Sequence, residues 1–168
     1  FPSVIEANAF AEAIYKDRNY YIGDSREFMI IDKIGNSPIG TYGNDFWVAA
    51  MTISEDYAYL VSGDKMVILD VKDPKRIRKA SEISLVGRAP SDVIVKNGYA
   101  YVVETLGGLN IIDVADTSNP KVVKVIPFES HTAGFAIAGN YAYLGRITST
   151  KSDSQGYSQT SVFEVIDI

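Results

Sequence analysis

The chain repeats one pattern of residues four times, and this repeat limits its possible folds more than any other feature. Short apolar runs alternate with turn residues in the segment 97–123, and related segments occur at 19–40, 56–78, 140–147 and 161–168. A tyrosine and an aspartate mark the register of each unit. The markers are Tyr21, Tyr59, Tyr101 and Tyr143, and Asp32, Asp70, Asp113 and Asp167. A period of about 42 residues with β-type runs is typical of propeller blades, so the pattern predicts an all-β, four-bladed β-propeller.

The third unit shows how one repeat divides into strands. We predict four strands, at 92–96, 99–104, 109–114 and 121–128. Asn97-Gly98, between the first two strands, is the pair of residues most typical of a tight hairpin turn. The second and third strands are apolar on both faces, which is expected for a sheet packed between two other sheets rather than for one half exposed to water.

The tripeptides that end the third strands carry a resemblance to a known family. They are Ile30-Ile31-Asp32, Ile68-Leu69-Asp70, Ile111-Ile112-Asp113 and Val165-Ile166-Asp167. Together with the preceding Tyr-Ala-Tyr elements, they resemble the LVIVD repeat family. The resemblance implies a β-propeller fold and an exported or surface protein of bacteria or archaea. It implies little about activity, because the residues that the family shares are structural.

The ends of the chain leave the closure of the predicted ring open. We expect one propeller domain over 1–168, with blades at 8–42, 43–84, 85–128 and 129–168. The last blade lacks a fourth strand, and the N-terminal strand 2–7 is a candidate to supply it. Its residues are Ser3, Val4, Ile5 and Glu6. They can clasp the last blade of their own chain, or be donated to a neighbouring copy. The chain can also be part of a larger propeller.

Composition excludes several classes of function. The net charge is -5 without a cluster of basic residues, which argues against nucleic acid and against anionic membrane surfaces as partners. No apolar run reaches the roughly 18 residues of a membrane-spanning helix. Cysteine is absent, so disulfides and thiolate metal sites are excluded. A zinc site or a serine-hydrolase triad would depend on His131, the only histidine.

The loops on one end of the predicted blades hold the candidate binding residues. Aromatic and charged side chains gather in these loops, as a sugar or peptide site requires. They are Trp47, Arg88, Glu104, His131, Arg146 and Tyr157. The polar insert 148–160 is predicted to be a solvated loop. The segments 113–119 and 151–156 contain oxygen ligands that suit calcium, but neither has the terminal glutamate of a complete calcium loop. The aspartates that end the third strands are predicted to bond the backbone that follows them.

These features predict a non-catalytic interaction or structural module outside the cytoplasm or at the cell surface. Its partner is expected to be a protein, further copies of the chain, or a carbohydrate. The first alternative is a subunit that assembles into a filament or surface layer by donating its N-terminal strand. The second is a small propeller hydrolase or lyase. No catalytic residue, cofactor or metal is predicted, with calcium as the one candidate ion.

Overall fold

The chain folds into four antiparallel sheets that follow one another in sequence order. A computed structural model describes residues 11–15, 18–22, 27–32, 37–43, 45–128, 131–152 and 156–168. These residues form fifteen strands and one short 3₁₀ helix, Pro74–Arg76, and no α-helix occurs among them. The all-β prediction is confirmed.

Within the described residues, the first three sheets have four strands each and the fourth has three. The first sheet contains β1 (Ala11–Tyr15), β2 (Arg18–Ile22), β3 (Glu27–Asp32) and β4 (Pro38–Gly43). The second contains β5 (Ala50–Ser54), β6 (Tyr57–Ser62), β7 (Lys65–Asp70) and β8 (Arg78–Ser84). The third contains β9 (Arg88–Lys96), β10 (Tyr99–Leu106), β11 (Leu109–Asp113) and β12 (Lys121–Ile126). The fourth contains β13 (His131–Ala138), β14 (Tyr141–Ser152) and β15 (Gly156–Asp167).

Tight turns join the first two strands of the second, third and fourth sheets, as the sequence predicts. Asn97 and Gly98 have positive φ angles of 52° and 79°, the conformation that two-residue hairpins favour, and they join β9 to β10. Glu55 and Gly139 take up the corresponding left-handed position in the second and fourth sheets, with φ of 53° and 58°. The strands predicted for the third unit are confirmed within a few residues.

The strand register corrects one part of the predicted alignment. The residues opposite the third-strand aspartates are Arg18, Tyr57, Tyr99 and Tyr141. The register tyrosine lies two residues after each of these positions, so in the first sheet it is Tyr20. The prediction of Tyr21 was wrong by one residue. Tyr20 is buried against the second sheet, as Tyr59 is against the third. The error of one residue arose because Tyr20 and Tyr21 are adjacent and both fit the sequence pattern. It matters because successive side chains of a strand point to opposite faces.

The core consists of three apolar layers, each between neighbouring sheets. The opening strands of successive sheets contact one another, β1 with β5, β5 with β9 and β9 with β13. The layer between the second and third sheets contains Tyr59, Val61, Met66 and Ile68 on one side and Val93, Ala100, Val102, Ile112 and Val114 on the other. The layer between the third and fourth sheets contains Tyr101, Val103, Leu109, Ile111, Phe128, Ala142 and Leu144. Since each inner sheet buries both faces, its strands read as continuous apolar runs.

In the second and third sheets, the aspartate that ends the third strand organises the turn that follows. Asp70 accepts a hydrogen bond from the backbone N–H of Lys72 at 3.1 Å, and Asp113 accepts one from Ala115 at 3.0 Å. The predicted structural role of these two aspartates is confirmed. Just before them, the pairing with the fourth strand shifts register at Ile68/Leu69 and Ile111/Ile112, and the first sheet shifts at the equivalent place. Such an irregularity bends the strand locally.

This turn docks onto the outer strand of the preceding sheet. In the first sheet, Gly40 on β4 lies so close to the second sheet that an added Cβ would lie 1.8 Å from the Pro74 carbonyl oxygen. In the second sheet, Ser81 on β8 donates a hydrogen bond of 2.6 Å to the carbonyl of Thr117 in the third. The outer strands and the turns therefore add a second row of contacts outside the apolar layers.

The insert 148–160 is not a loop throughout. Residues 148–152 and 156–160 extend β14 and β15, with pairs from Thr148 opposite Thr160 to Ser152 opposite Gly156. The prediction of a solvated loop was wrong there, and only 153–155 lie outside the described residues. The ribbon continues beyond β13, whose last pair is His131 with Ile147. A ribbon without a third strand needs no alternation of apolar and polar residues, so the sequence pattern gave no strand signal.

Candidate functional site

Four of the predicted binding residues lie at one end of the sheets, where strands begin or hairpins close. Trp47 precedes β5 and is 48 % exposed. Arg88 is the first residue of β9 and His131 the first of β13. Tyr157 pairs with Lys151 on the ribbon of the fourth sheet. For Arg88, His131 and Tyr157, the structure describes the strand position and not the side chain.

Glu104 lies inside the protein rather than in an exposed loop. Its side chain is fully buried, and one carboxylate oxygen accepts a hydrogen bond of 3.0 Å from the Asn110 amide. The Asn110 oxygen accepts one of 3.1 Å from the backbone N–H of Val86. A Cβ at Gly87 or Gly107 would lie 1.7 or 2.1 Å from the Glu104 carboxylate, so both glycines make room for it. Glu104 and Asn110 together thus tie β10 and β11 to the segment that joins the second and third sheets.

Arg146 also contacts the framework. It forms an ion pair with Glu164 across β14 and β15, and its guanidinium lies 5.3 Å from the centre of the Phe128 ring. The side chain is only 18 % exposed. Glu104 and Arg146 therefore lie at different junctions, one between the second and third sheets and one between the third and fourth. The structure does not bring these two residues together.

A small cavity lies between the third and fourth sheets and was not predicted. It has a volume of about 120 Å³ and is lined by Ser91, Asp92, Val103, Thr132, Gly134 and Phe135. Burial raises the pKa of Asp92, although its carboxylate accepts a hydrogen bond from the N–H of Val93. Pockets for small-molecule ligands usually measure about 300 Å³ or more. This cavity has room for a few waters or a small ion.

The two calcium candidates differ in what the structure describes. In the segment 113–119, Asp116 accepts hydrogen bonds from the N–H and the hydroxyl of Ser118. Together with the bond from Ala115 to Asp113, these contacts engage an oxygen of each aspartate in turn formation. The second candidate, 151–156, lies partly outside the described residues. No group of three histidine, aspartate or glutamate side chains suited to a metal occurs in the part of the chain that the structure describes.

The fourth sheet presents an apolar face to water. We define the open face as Tyr141, Tyr143, Phe163 and Val165. Tyr143 pairs with Val165 and Gly145 pairs with Phe163, so these residues share one face of the sheet. The buried Ala142 and Leu144 lie on the other face. Phe163 is 71 % exposed and Val165 is 50 % exposed. The rings of Tyr143 and Phe163 lie 6.1 Å apart, so the aromatic groups form one continuous patch.

The same positions are buried in the inner sheets. The third-sheet counterparts of Phe163 and Val165 are Leu109 and Ile111, which are 0 % and 5 % exposed. The second-sheet counterparts, Met66 and Ile68, are fully buried. In the second and third sheets, the following sheet covers these positions. The open face is therefore an inter-sheet packing surface that lies uncovered.

The edge of the fourth sheet is also open. Within the described residues, β15 pairs with β14 and with no further strand, whereas the third strands β3, β7 and β11 each pair with a fourth. An edge of this kind presents backbone groups that another strand can pair with. The predicted donor strand, 2–7, lies outside the described residues.

The arrangement of the sheets is that of a β-propeller, and two solved structures share it. One is the computationally designed Ika4 protein, with a TM-score of 0.69 and 10 % identity over 94 % of this chain and 92 % of that chain. The other is BamB from Moraxella catarrhalis, with a TM-score of 0.63 and 12 % identity over 85 % of this chain. The match covers 47 % of BamB, so the chain spans about half of that protein. At these identities, the likeness shows the fold alone.

The sequence comparison identifies the repeat. The family model for the LVIVD repeat matches residues 48–88 and 86–125, two adjacent units. Residues 48–125 thus carry two LVIVD repeats, and the predicted resemblance is confirmed. No curated protein matches the chain. The described residues contain no helix with the length and apolar character needed to cross a lipid bilayer.

Proposed function

We propose that the chain is a non-catalytic β-propeller module that binds another protein through the open face of its fourth sheet. The exposure of Phe163 and Val165 supports this proposal most directly. Soluble proteins rarely leave contiguous apolar patches uncovered, and such patches mark interaction surfaces. Aromatic residues on a rigid framework are typical anchors of protein interfaces, because they contribute a large contact area and lose little conformational entropy.

The shape of this surface favours a protein over a small molecule. The open face belongs to β14 and β15, which are paired along their whole length. An extended sheet surface suits a partner with its own apolar face, whereas small ligands need a concave site. Three described cavities measure about 120, 260 and 270 Å³, below the usual size of a pocket for a small-molecule ligand.

We also propose that the module works outside the cytoplasm or at the cell surface. The LVIVD repeats support this location, because the resemblance implies exported or surface proteins. Digestion of the protein by a protease added to intact cells is the expected result. Protection in intact cells, followed by digestion after lysis, contradicts this location.

A second candidate function is self-assembly by strand donation. It rests on the open edge of β15 in a sheet of three strands. Ser3, Val4, Ile5 and Glu6 of one copy would pair with β15 of the next copy and give a chain of subunits. Electron microscopy of the negatively stained protein would then show filaments, and Ile5→Pro would abolish them by removing a backbone donor. Uniform compact particles in the unmodified protein contradict this candidate.

A photo-crosslinking experiment tests the protein-binding proposal. A benzoylphenylalanine is placed at position 163 on the open face or, as a control, at position 123. Val123 is 53 % exposed on β12 of the third sheet, away from the open face. In cells that produce the protein, position 163 is expected to give a discrete crosslinked product and position 123 none. Equal labelling at both positions, or no product at either, overturns the proposal.

A further inference from the structure

We propose that the open face is covered by the first sheet of a second copy, so that two chains form one closed ring of eight sheets. The inference rests on the proposed function and names its partner. Each copy would contribute its fourth sheet to one junction and its first sheet to the other. The two junctions are identical and related by a twofold axis, so the assembly ends at two copies.

The existing interfaces define the surface that fits the open face. Between the second and third sheets, the layer pairs Met66 and Ile68 with Val102 and Ile112 of the sheet that follows. A second layer of the same kind joins the third and fourth sheets. In each of these layers, a sheet packs against the sheet before it in the sequence. A sheet that covers the open face must therefore use the same face that the third and fourth sheets use in these layers. On the first sheet, Met29 and Ile31 lie on the corresponding face.

Two residues mark this face on the first sheet. Phe28 and Ile30 on β3 point to the second sheet, so Met29 and Ile31 lie on the opposite face. Ile31 occupies the position that Ile112 has in the third sheet, and Ile112 packs against the second sheet. Ile31 is already buried within the chain, whereas Met29 is half-buried. Met29 is therefore the position at which a substitution can probe contact with a second copy.

The likeness to a longer propeller supports a ring about twice the size of this chain. The chain matches BamB over 85 % of its own length and 47 % of that chain. The uncovered part of that propeller is slightly more than half, which is close to the length of one further copy. The likeness to Ika4, 92 % of which is covered, shows that four such sheets also occur in a chain of this size. The arrangement therefore fits both a separate chain and half of a larger ring.

The ring also accounts for the open edge of β15. In every junction, the first sheet of one copy lies beside the fourth sheet of the other. The ring would then place β1 at the junction with the partner's three-stranded sheet, and the predicted donor strand 2–7 precedes β1 in the sequence. Donation of that strand within the ring would complete the fourth sheet without forming a filament.

The test measures the mass of the purified protein by light scattering during gel filtration. The unmodified chain is expected at twice its mass of 18.4 kDa. Val165→Lys places a charge in both junctions of the ring, so dimer formation should weaken about 100-fold. Val123→Lys is a matched control, because Val123 and Val165 are strand valines with 53 % and 50 % exposure. It should remain a dimer, while Met29→Lys should weaken the dimer as Val165→Lys does.

Several results would overturn the two-copy ring. One is a monomer of 18.4 kDa at concentrations of about 1 mM. Another is an assembly larger than two copies. A dimer that responds to Val165→Lys but not to Met29→Lys would place two fourth sheets against each other and refute the junction. A crosslink from position 163 to a protein of a different mass, with a monomer in the purified state, would refute the ring and leave the protein-binding proposal intact.

Discussion

Replacing Gly40 with alanine is expected to separate the first and second sheets at their outer contact. A Cβ at this position would lie 1.8 Å from the carbonyl oxygen of Pro74, 2.7 Å from its carbon and 3.2 Å from the Ile77 side chain. Two of the three atoms belong to the backbone, so no change of rotamer relieves the overlap. The turn at Pro74–Arg76 must move away from β4.

The size of the effect follows from the cost of an overpacked contact. Forcing extra atoms into a close-packed contact costs about 1 to 3 kcal/mol, and occasionally more. A small domain has a total stability of about 5 to 15 kcal/mol, so the loss is easily measured. Because the first and second sheets also share an apolar layer, Gly40→Ala should lower the stability without abolishing folding.

Gly43→Ala is the matched control on the same strand. No atom lies within 4 Å of a Cβ at Gly43, and neither Gly40 nor Gly43 has a left-handed backbone. Alanine at position 43 should therefore be neutral, or raise the stability by up to about 1 kcal/mol, because it restricts the unfolded chain. The two substitutions are chemically identical and differ in the space available to the added methyl group.

Urea unfolding measures the difference between the two variants. Fluorescence of Trp47, the only tryptophan, reports on the loop that precedes β5, and circular dichroism reports on the strands. Gly40→Ala should lower the midpoint with the slope unchanged, while Gly43→Ala leaves the midpoint in place or raises it. Midpoints that agree between the two variants would show that the turn does not dock against β4, and would refute the reasoning.

Three further predictions concern the turns. Ser81→Ala removes the hydrogen bond to Thr117 and should lower the free energy of unfolding by about 1 kcal/mol in urea titrations. For Asp70, burial raises the pKa, but the hydrogen bonds from the Arg78 side chain and the Lys72 N–H outweigh it, so the folded-state pKa is lowered. This stabilisation is present above the unfolded pKa of about 3.9 and is lost as the pH falls through the lower folded value, so thermal midpoints of Asp70→Asn should fall less steeply in acid. Calcium added to the chelated protein should leave the thermal midpoint unchanged, and an increase would reveal a site.

The sequence was informative wherever the repeat fixed the packing. The apolar runs predicted β10 and β11, and the Asp after each run predicted the bond to the following turn. The register of the first sheet was less certain, because adjacent tyrosines fit the pattern equally well and only strand pairing separates them. Glu104 was taken for a loop residue, although Asn110, a polar residue within an apolar strand, signalled a buried polar partner.

The open face could not be recognised from the sequence. Phe163 and Val165 have the same apolar character as Leu109 and Ile111, and they differ only in what lies against them. Exposure of a repeat position depends on whether another sheet follows in space, and no local pattern records that. The extension of β14 and β15 was missed for a related reason, because a two-stranded ribbon needs no alternation of apolar and polar residues.

A row of stacked sheets always has two end surfaces. Each described inner sheet buries one face against its predecessor and the other against its successor, so the energy of the fold lies in the junctions between sheets. A repeat protein is stable only when its ends are covered, capped or joined. Among the described residues, the last face of the row is apolar and uncovered, and the last sheet has a strand edge without a partner strand. The surface available for binding is therefore the same surface that the fold needs to bury. Binding of a partner to the open face should therefore increase the stability of the protein. A variant that disrupts the open face should lower the thermal midpoint only as far as it dissociates the assembly, and the midpoint of the unmodified protein should increase with its concentration.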